Sequence, residues 1–237
     1  MIPLRDSAAR RRFTPINSII IAANLAVFVY EISLRARVRE FLFRYAMVPA
    51  YVDAWLTTFD RSSFPHRLEA WWPPLTLVTS MFVHGGILHV LGNMLYLWIF
   101  GAAIEHRMGA RRYAAFYMMA GIAAGLATIA IAPTSPVPVV GASGAIAGVL
   151  GAYFVMYPRG RILTLVPLFI FFYTAEIPAV AYLLVWFVLQ LYAGLAESAP
   201  GAAAGGVAWW AHIGGFLFGI AIGPLMARTD SRVRRVR

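Results

Sequence analysis

The chain has 237 residues, of which 61% are hydrophobic and only 13% are charged, against about 25% charged residues in soluble globular proteins. This composition excludes an ordinary soluble domain and indicates an integral membrane protein, while the absence of cysteine excludes thiol catalysis and disulfides. The net charge is +10 and every basic residue is an arginine; these arginines lie between apolar segments, which indicates membrane orientation and not nucleic-acid binding.

Apolar segments long enough to cross a bilayer recur along the chain. We predict six transmembrane helices, at about residues 16–34, 86–104, 113–132, 142–157, 178–196 and 207–227. The predicted fold class is an all-α membrane protein, with a membrane domain over 16–227 between basic tails at 1–15 and 228–237. A long hydrophilic loop, about 35–85, follows the first span, and Pro73 and Pro74 are expected to break any helix before the second span.

The apolar segment 162–173 is too short for a span, since it has about a dozen residues and contains Pro167. A segment of this length is typical of an interfacial or re-entrant element. We therefore expect it to stay at one side of the membrane. Tyr153, Tyr157 and the phenylalanines of 169–172 are expected to face lipid or the interface.

The arginines predict the orientation of the spans. The side that holds both tails also receives the arginines after spans two and four, whereas the later loops on the opposite side have none. Because short loops weigh most in the positive-inside rule, both termini are predicted to be cytoplasmic. Spans two, four and six then enter the membrane from the outer side.

Polar residues are concentrated at the outer ends of these three spans. His84 comes just before span two, His89 and Asn93 lie in its outer part, Ser143 begins span four, and His212 lies early in span six. An ionisable side chain within a membrane is costly and is a functional-site hypothesis by default. A serine hydroxyl needs an adjacent base, and imidazole titrates close to neutrality. We predict that Ser143 is a nucleophile and His212 its general base.

A tetrahedral oxyanion requires hydrogen-bond donors aimed at it. Ser143 lies at a helix start, where backbone N–H groups are unpaired, so its own N–H is a predicted donor. His89 and Asn93 are four residues apart and share one helix face, from which both can offer side-chain N–H groups.

An acidic third member is not evident in the sequence. The candidates are Glu105, Glu176 and Glu197, which lie near the ends of spans two and five. None obviously shares a face with His212, so the sequence favours a Ser–His dyad over a triad.

Small residues predict that spans four and six approach closely. Both carry glycines at helical spacing: Gly144, Gly148 and Gly151, and Gly215, Gly219 and Gly223. Such ridges let two backbones pack together, and a short serine side chain can reach a histidine only if its helix comes near. Ordinary membrane packing is the other explanation of the same glycines.

Three motifs resemble those of the rhomboid family of intramembrane serine proteases. Residues 84–93 resemble the family's HxxxxHxxxN motif, residues 141–144 its GxSG motif, and residues 211–219 its last-helix histidine motif. Gly101, Glu105 and Arg107 are similar to its GxxxE element and the basic residue that follows. The resemblance covers about 70–227, in the family's order.

The resemblance implies a six-helix rhomboid-like bundle in a bacterial-type plasma membrane. It implies a serine endopeptidase, without metal or organic cofactor, that cuts transmembrane protein substrates near the outer face of the lipid bilayer. The catalytic roles would be those given above to Ser143, His212, His89 and Asn93. The near-site residues His84, Gly141, Gly144 and Gly215 would be structural, with Gly141 letting the chain pass close to the substrate.

The resemblance further implies that span five, with Trp186 and Phe187, is a mobile lateral gate. One departure concerns the histidine, because Ala147 stands where some members have a tyrosine that stacks on it. The sequence does not identify what holds the imidazole of His212 instead.

Other functions are weighed against this one. A catalytically silent relative that binds or escorts membrane proteins is the alternative, and the intact Ser143, His212, His89 and Asn93 argue against it. The absence of mid-membrane acidic residues disfavours a small transporter. His84 and His89 are five residues apart and do not share a helix face, which disfavours a metal site. Substrate and oligomeric state are left open.

Overall fold

A computed structural model of the chain describes residues 1–7, 13–58, 72–168, 171–198 and 208–227. The elements, in chain order, are β1 (Ile2–Asp6), α1 (Pro15–Ser33), α2 (Val38–Tyr45), α3 (Pro49–Thr58), α4 (Trp72–Thr79), α5 (Ile87–Tyr96), α6 (Ala102–Met108), α7 (Ala110–Ile131), α8 (Ser143–Met156), β2 (Arg161–Leu168), β3 (Phe171–Pro178), α9 (Ala179–Glu197) and α10 (Trp209–Met226). The mostly helical architecture confirms the predicted fold class, to which it adds a small sheet. The predicted tail 228–237 lies outside the described residues.

Five helices in the described ranges are long and apolar enough to cross a membrane: α1, the continuous helix Ile87–Met108, α7, α9 and α10. This confirms a multi-pass integral membrane protein. The predicted fourth span is α8, whose 14 residues extend only about 21 Å at 1.5 Å per residue. Every residue of α8 from Gly144 to Tyr153 is buried, so this short helix lies inside the bundle and is surrounded by protein.

The burial of α8 corrects the prediction for one tyrosine. Tyr153 does not face lipid: its side chain is fully buried and packs edge-on against Phe100, with the ring centroids 5.1 Å apart. Tyr157, just beyond the helix, donates its hydroxyl to the carbonyl of Ala103 at 3.0 Å. A helix buried all round has no amphipathic pattern, so the sequence could not show which of its faces contacts protein.

Residues 161–168 and 171–178 form two strands, elements that the sequence did not predict. β2 pairs antiparallel with β3 on one side and with β1 on the other, so the N-terminal tail also contributes a strand. Ile162 and Thr164 of β2 are buried, whereas β3 is largely exposed. The apolar stretch of β2 lacks a clear polar alternation, and periodicity cannot separate such a strand from a short apolar helix.

The loop predicted at 35–85 contains α2, α3 and α4. Pro73 and Pro74 lie in the first turn of α4 and do not prevent a helix, which corrects the prediction. Proline is tolerated there because the first N–H groups of a helix have no intrahelical partner. Backbone hydrogen bonds join Met47 to Val139 in both directions, at 3.0 and 2.8 Å, and tie this loop to the segment that leads into α8.

The helices α8 and α10 pack with their backbones in contact, as the glycine spacing predicts. A Cβ atom added to Gly215 would collide with the carbonyl oxygen of Gly144, and one added to Gly219 would collide with that of Gly148. A Cβ on Gly151 would collide with the carbonyl of Phe216. Only glycine at these positions permits this approach, which brings the first turns of the two helices together.

Glu105 fastens the start of α1 to the bundle. Its two carboxylate oxygens accept the backbone N–H groups of Ile16 and Asn17, at 3.1 and 2.7 Å, where a helix N-terminus has unpaired donors. The side-chain amide of Asn17 in turn donates to the carbonyl of Leu97 at 2.9 Å. Leu97 begins the short π-helical segment, Leu97–Gly101, that joins α5 to α6. The Glu105 carboxylate is therefore engaged at the N-terminus of α1.

Candidate active site

Ser143 and His212 are in direct contact. Ser143 is the first residue of α8 and His212 lies in the first turn of α10. The Oγ atom of Ser143 lies 2.8 Å from Nε2 of His212, a hydrogen-bond distance suited to proton transfer between a nucleophile and a base. Gly144 follows Ser143 and Gly215 follows His212 within one turn, so the close backbone approach of these two glycines lies next to the Ser143–His212 pair.

Gly141 sets the path of the chain into α8. Its φ of +115° is one that residues with a side chain rarely adopt, and its N–H donates to the carbonyl of Ser80 at 2.8 Å. A Cβ at this position would lie 2.6 Å from Nε2 of His89 and 3.5 Å from Nδ2 of Asn93. The glycine thus lets the backbone before Ser143 pass beside both residues of α5.

Ser143, His212, His89 and Asn93 line a single cavity of about 530 Å³. Apart from Tyr96, the rest of its wall is apolar or glycine: Gly85, Leu88, Gly92, Val140, Ile146, Leu150, Trp186 and Ala208. A mostly apolar cavity with a few convergent polar groups is typical of a binding site that fixes the orientation of its ligand. The structure therefore brings together the predicted nucleophile, base and side-chain donors.

His84 supports Asn93 from behind the cavity. Nδ2 of Asn93 lies 2.9 Å from Nε2 of His84, and Nδ1 of His84 lies 3.3 Å from the carbonyl of Phe82. Because an amide nitrogen only donates, Nε2 of His84 accepts and its Nδ1 carries the proton. Burial, aided by neighbouring His89, lowers the pKa of His84 to about 4, so this ring is neutral near pH 7.

Glu31 of α1 holds the loop that carries His84. Its carboxylate accepts the backbone N–H of His84, at 3.1 and 3.4 Å from the two oxygens, and its side chain is buried. Glu31 is not among the residues predicted for the site from the sequence. Its signal was an acidic residue within an apolar span, which the cost of a charge in a membrane should have marked as a structural or functional group.

The imidazole of His212 is held by residues that were not predicted to contact it. Nδ1 of His212 lies 2.7 Å from Oε1 of Gln190, on α9. The rings of Trp186 and Trp209 flank the imidazole, with centroids at 5.9 and 6.1 Å. These three residues are therefore the ones that hold the imidazole in this structure. Gln190 is the only glutamine in the chain and interrupts an apolar span, a signal available in the sequence.

Besides meeting His212 of α10, the helix α9 contacts α5. The hydroxyls of Tyr96 and Tyr182 lie 2.8 Å apart, and Tyr96 lines the cavity.

Glu176, at the end of β3, is paired with Arg161 of β2 at 3.2 Å in a largely exposed ion pair. That carboxylate is therefore engaged at the sheet and not at the dyad.

Comparison with known proteins identifies the family. The family profile described as "Rhomboid domain" matches residues 69–229, which include every residue of the cavity. The chain belongs to the rhomboid family. This membership confirms the resemblance inferred from the three motifs, all of which lie within the matched range.

The chain is also similar in sequence to individual rhomboid proteins. The chain is 30% identical over 169 residues to Rhomboid protein 1, mitochondrial, of Saccharomyces cerevisiae, covering 69% of this chain and 45% of the yeast protein. It is 43% identical over 82 residues to Rhomboid protease GluP of Bacillus subtilis, covering 35% and 15% of the two chains. It is 32% identical over 152 residues to the mouse presenilin-associated rhomboid-like protein, covering 61% and 36%. The matched region thus spans less than half the length of each of these relatives.

Proposed function

We propose that this rhomboid-family protein is an intramembrane serine endopeptidase that hydrolyses peptide bonds in or near transmembrane segments of membrane proteins. The observation that carries the proposal is the 2.8 Å contact between Ser143 Oγ and His212 Nε2, in a cavity that also contains His89 and Asn93. The family membership and the similarity to a protein named as a rhomboid protease support it.

In the acylation step, the Ser143 hydroxyl attacks the carbonyl carbon of the scissile bond. His212 Nε2 accepts the hydroxyl proton as the new C–O bond forms. Negative charge develops on the former carbonyl oxygen, for which the Ser143 N–H and the side chains of His89 and Asn93 are the available donors. When the C–N bond breaks, His212 returns the proton to the leaving amine and an acyl-serine ester remains.

In the deacylation step, water attacks the ester. His212 removes a proton from that water as the new C–O bond forms. When the ester C–O bond breaks, His212 returns the proton to Ser143 Oγ, which releases the carboxylic product and restores the hydroxyl. The reaction needs water in a membrane-embedded cavity, so the cavity must open to an aqueous side. The arginine distribution favours the outer side, with both termini cytoplasmic in a bacterial-type plasma membrane.

The substrate is a membrane protein that enters sideways between α5 and α9. Trp186 and Phe187 of α9 pack against Phe216 of α10, with ring centroids at 5.8 and 4.8 Å. Movement of α9 away from α5 would open the cavity to the bilayer. The hydroxyl pair of Tyr96 and Tyr182 is the polar contact that this movement breaks.

Labelling with a fluorophosphonate probe tests the proposal. The probe forms a covalent bond to an activated serine oxygen with loss of fluoride, so we expect the purified wild-type protein to be labelled and Ser143→Ala to be unlabelled. Ser33→Ala, which removes an exposed hydroxyl at the end of α1, serves as the matched control and should label fully. Cleavage of single-span substrate proteins should follow the same pattern.

Two results would contradict the proposal. A wild-type protein that resists labelling and cleaves nothing in a panel of single-span proteins would favour the catalytically silent relative. Labelling of Ser143→Ala at the wild-type rate would assign the reactive hydroxyl to another residue. Retention of the wild-type thermal unfolding temperature in Ser143→Ala shows that loss of labelling is not loss of fold.

A further inference from the structure

Gln190 is a buried amide in the middle of an apolar helix. It is the only glutamine in the chain, and its exposed fraction is 8%. Its neighbour Leu189 is 57% exposed, as expected for the lipid-facing side of α9. A polar side chain within the membrane is costly unless its hydrogen-bonding groups are satisfied. Both ends of the Gln190 amide are bonded in this structure.

The two bonds of Gln190 define its orientation. Nε2 donates to the carbonyl of Trp186, one turn earlier in α9, at 3.2 Å. This contact can be made only by the nitrogen end of the amide, since a carbonyl accepts. Oε1 must then face His212, whose Nδ1 it meets at 2.7 Å.

The orientation of Gln190 determines the tautomer of His212. Because Oε1 can only accept, the proton of the neutral imidazole lies on Nδ1. Nε2 then presents its lone pair to the Ser143 hydroxyl, 2.8 Å away. In the opposite tautomer, Nε2 would carry the proton and could not remove the one on Ser143.

We propose that Gln190 is the positioning residue of the catalytic base, which orients the His212 ring and holds it in the tautomer that can deprotonate Ser143. This inference rests on the proposed protease function. A carboxylate could accept the same bond, but a charge buried among apolar helices is costly, whereas an amide orients the ring without one.

The position of α9 therefore matters to catalysis. Ser143 lies on α8 and His212 on α10, whereas their orienting group lies on α9. The three residues are aligned only while α9 packs against α10.

The test compares rates of labelling by a small fluorophosphonate probe. Gln190→Met keeps the length of the side chain and removes the acceptor; we expect the labelling rate to fall about tenfold to hundredfold. Gln190→Glu restores an acceptor at the same place and should label within about fivefold of wild type. Leu189→Met introduces the same side chain on the exposed neighbour and should label at the wild-type rate. A small probe need not pass between α5 and α9, so a change in gating does not alter these rates.

Two outcomes would overturn this inference and leave the protease function standing: Gln190→Met labels at the wild-type rate, or Gln190→Glu is slowed as much as Gln190→Met. If the wild type does not label, or Ser143→Ala does, the protease function itself fails. A second measurement needs no variant at position 190. In ¹⁵N spectra of the wild-type protein, the His212 signal, identified by its loss in His212→Ala, should be that of a ring protonated on Nδ1; protonation on Nε2 would overturn the inference.

Discussion

Asn93 has two hydrogens on its side-chain nitrogen, and the structure accounts for one of them. One points to His84 Nε2 at 2.9 Å, which leaves the other available toward the cavity that Ser143 lines. The Glu31 carboxylate fixes the backbone of His84 in turn. At the scale of single residues, the proposed oxyanion donor is thus held by a chain of contacts that begins on α1.

Removal of this donor should slow catalysis without abolishing it. Loss of one oxyanion donor typically lowers the rate by about 10²–10³, or roughly 3–4 kcal/mol. For Asn93→Ala we expect the lower end of that range in kcat, because His89 and the Ser143 N–H remain. Steady-state cleavage of a single-span substrate measures the effect. Leu91→Ala, on the exposed side of α5, is the matched control. An unchanged kcat in Asn93→Ala would remove this residue from the assignment.

At the scale of elements, α9 has two functions in the proposed enzyme. Through Gln190 it contacts the base, and through Tyr182 it contacts α5 at Tyr96. By contrast, the backbones of α8 and α10 are in direct contact over several turns, at Gly144, Gly148 and Gly151 of α8. We therefore infer that α8 and α10 form the fixed part of the site and that α9 is the part that moves.

A cross-link between α9 and α10 tests this division. A Cβ on Gly194 would lie 3.3 Å from the Cβ of Trp209, near the Cβ separation of about 3.8 Å that a disulfide bridges. Since the chain has no cysteine, a Gly194→Cys/Trp209→Cys double variant can form one disulfide within the chain. When oxidised, it should label with the small probe but stop cleaving single-span proteins.

The reduced form of the same double variant is its control. Reduction should restore cleavage to the level seen before oxidation, whatever the loss of the Trp209 ring does to the basal rate. Full cleavage of single-span proteins by the oxidised variant would show that substrate entry does not require α9 to move relative to α10, and would contradict the assignment of α9 as the moving part.

At the scale of the whole molecule, the orientation in the membrane decides which side supplies water to the site. The segment between α7 and α8 and the segment between α8 and β2 lie on opposite sides in the proposed topology. Thr134 and Arg159, both exposed, mark the two segments. We expect a membrane-impermeant maleimide to label Thr134→Cys in intact cells, and to label Arg159→Cys only after permeabilisation. The reverse pattern would place the cavity opening on the cytoplasmic side.

Residue spacing was enough to predict those features of this protein that depend on the pattern within one segment of the chain. Apolar segments of spanning length indicate a membrane protein, because a helix that crosses the hydrocarbon core needs about 20 mostly apolar residues. The glycine spacing of α8 and α10 predicted their close approach, because only small residues allow it. The three motifs placed Ser143, His212, His89 and Asn93 together, and the structure gathers all four around one cavity.

Tertiary structure decided the contacts that depend on the relative rotation and depth of separate elements. Gln190 and His212 are 22 residues apart in the sequence, and Glu31 and His84 are 53 residues apart. No spacing pattern within one helix predicts either pairing. The strand at 161–168 arises because it has strand partners on both sides, which a short apolar sequence does not disclose. Spacing along one helix reveals which residues share its face, but the residue that the face meets depends on how the whole bundle packs.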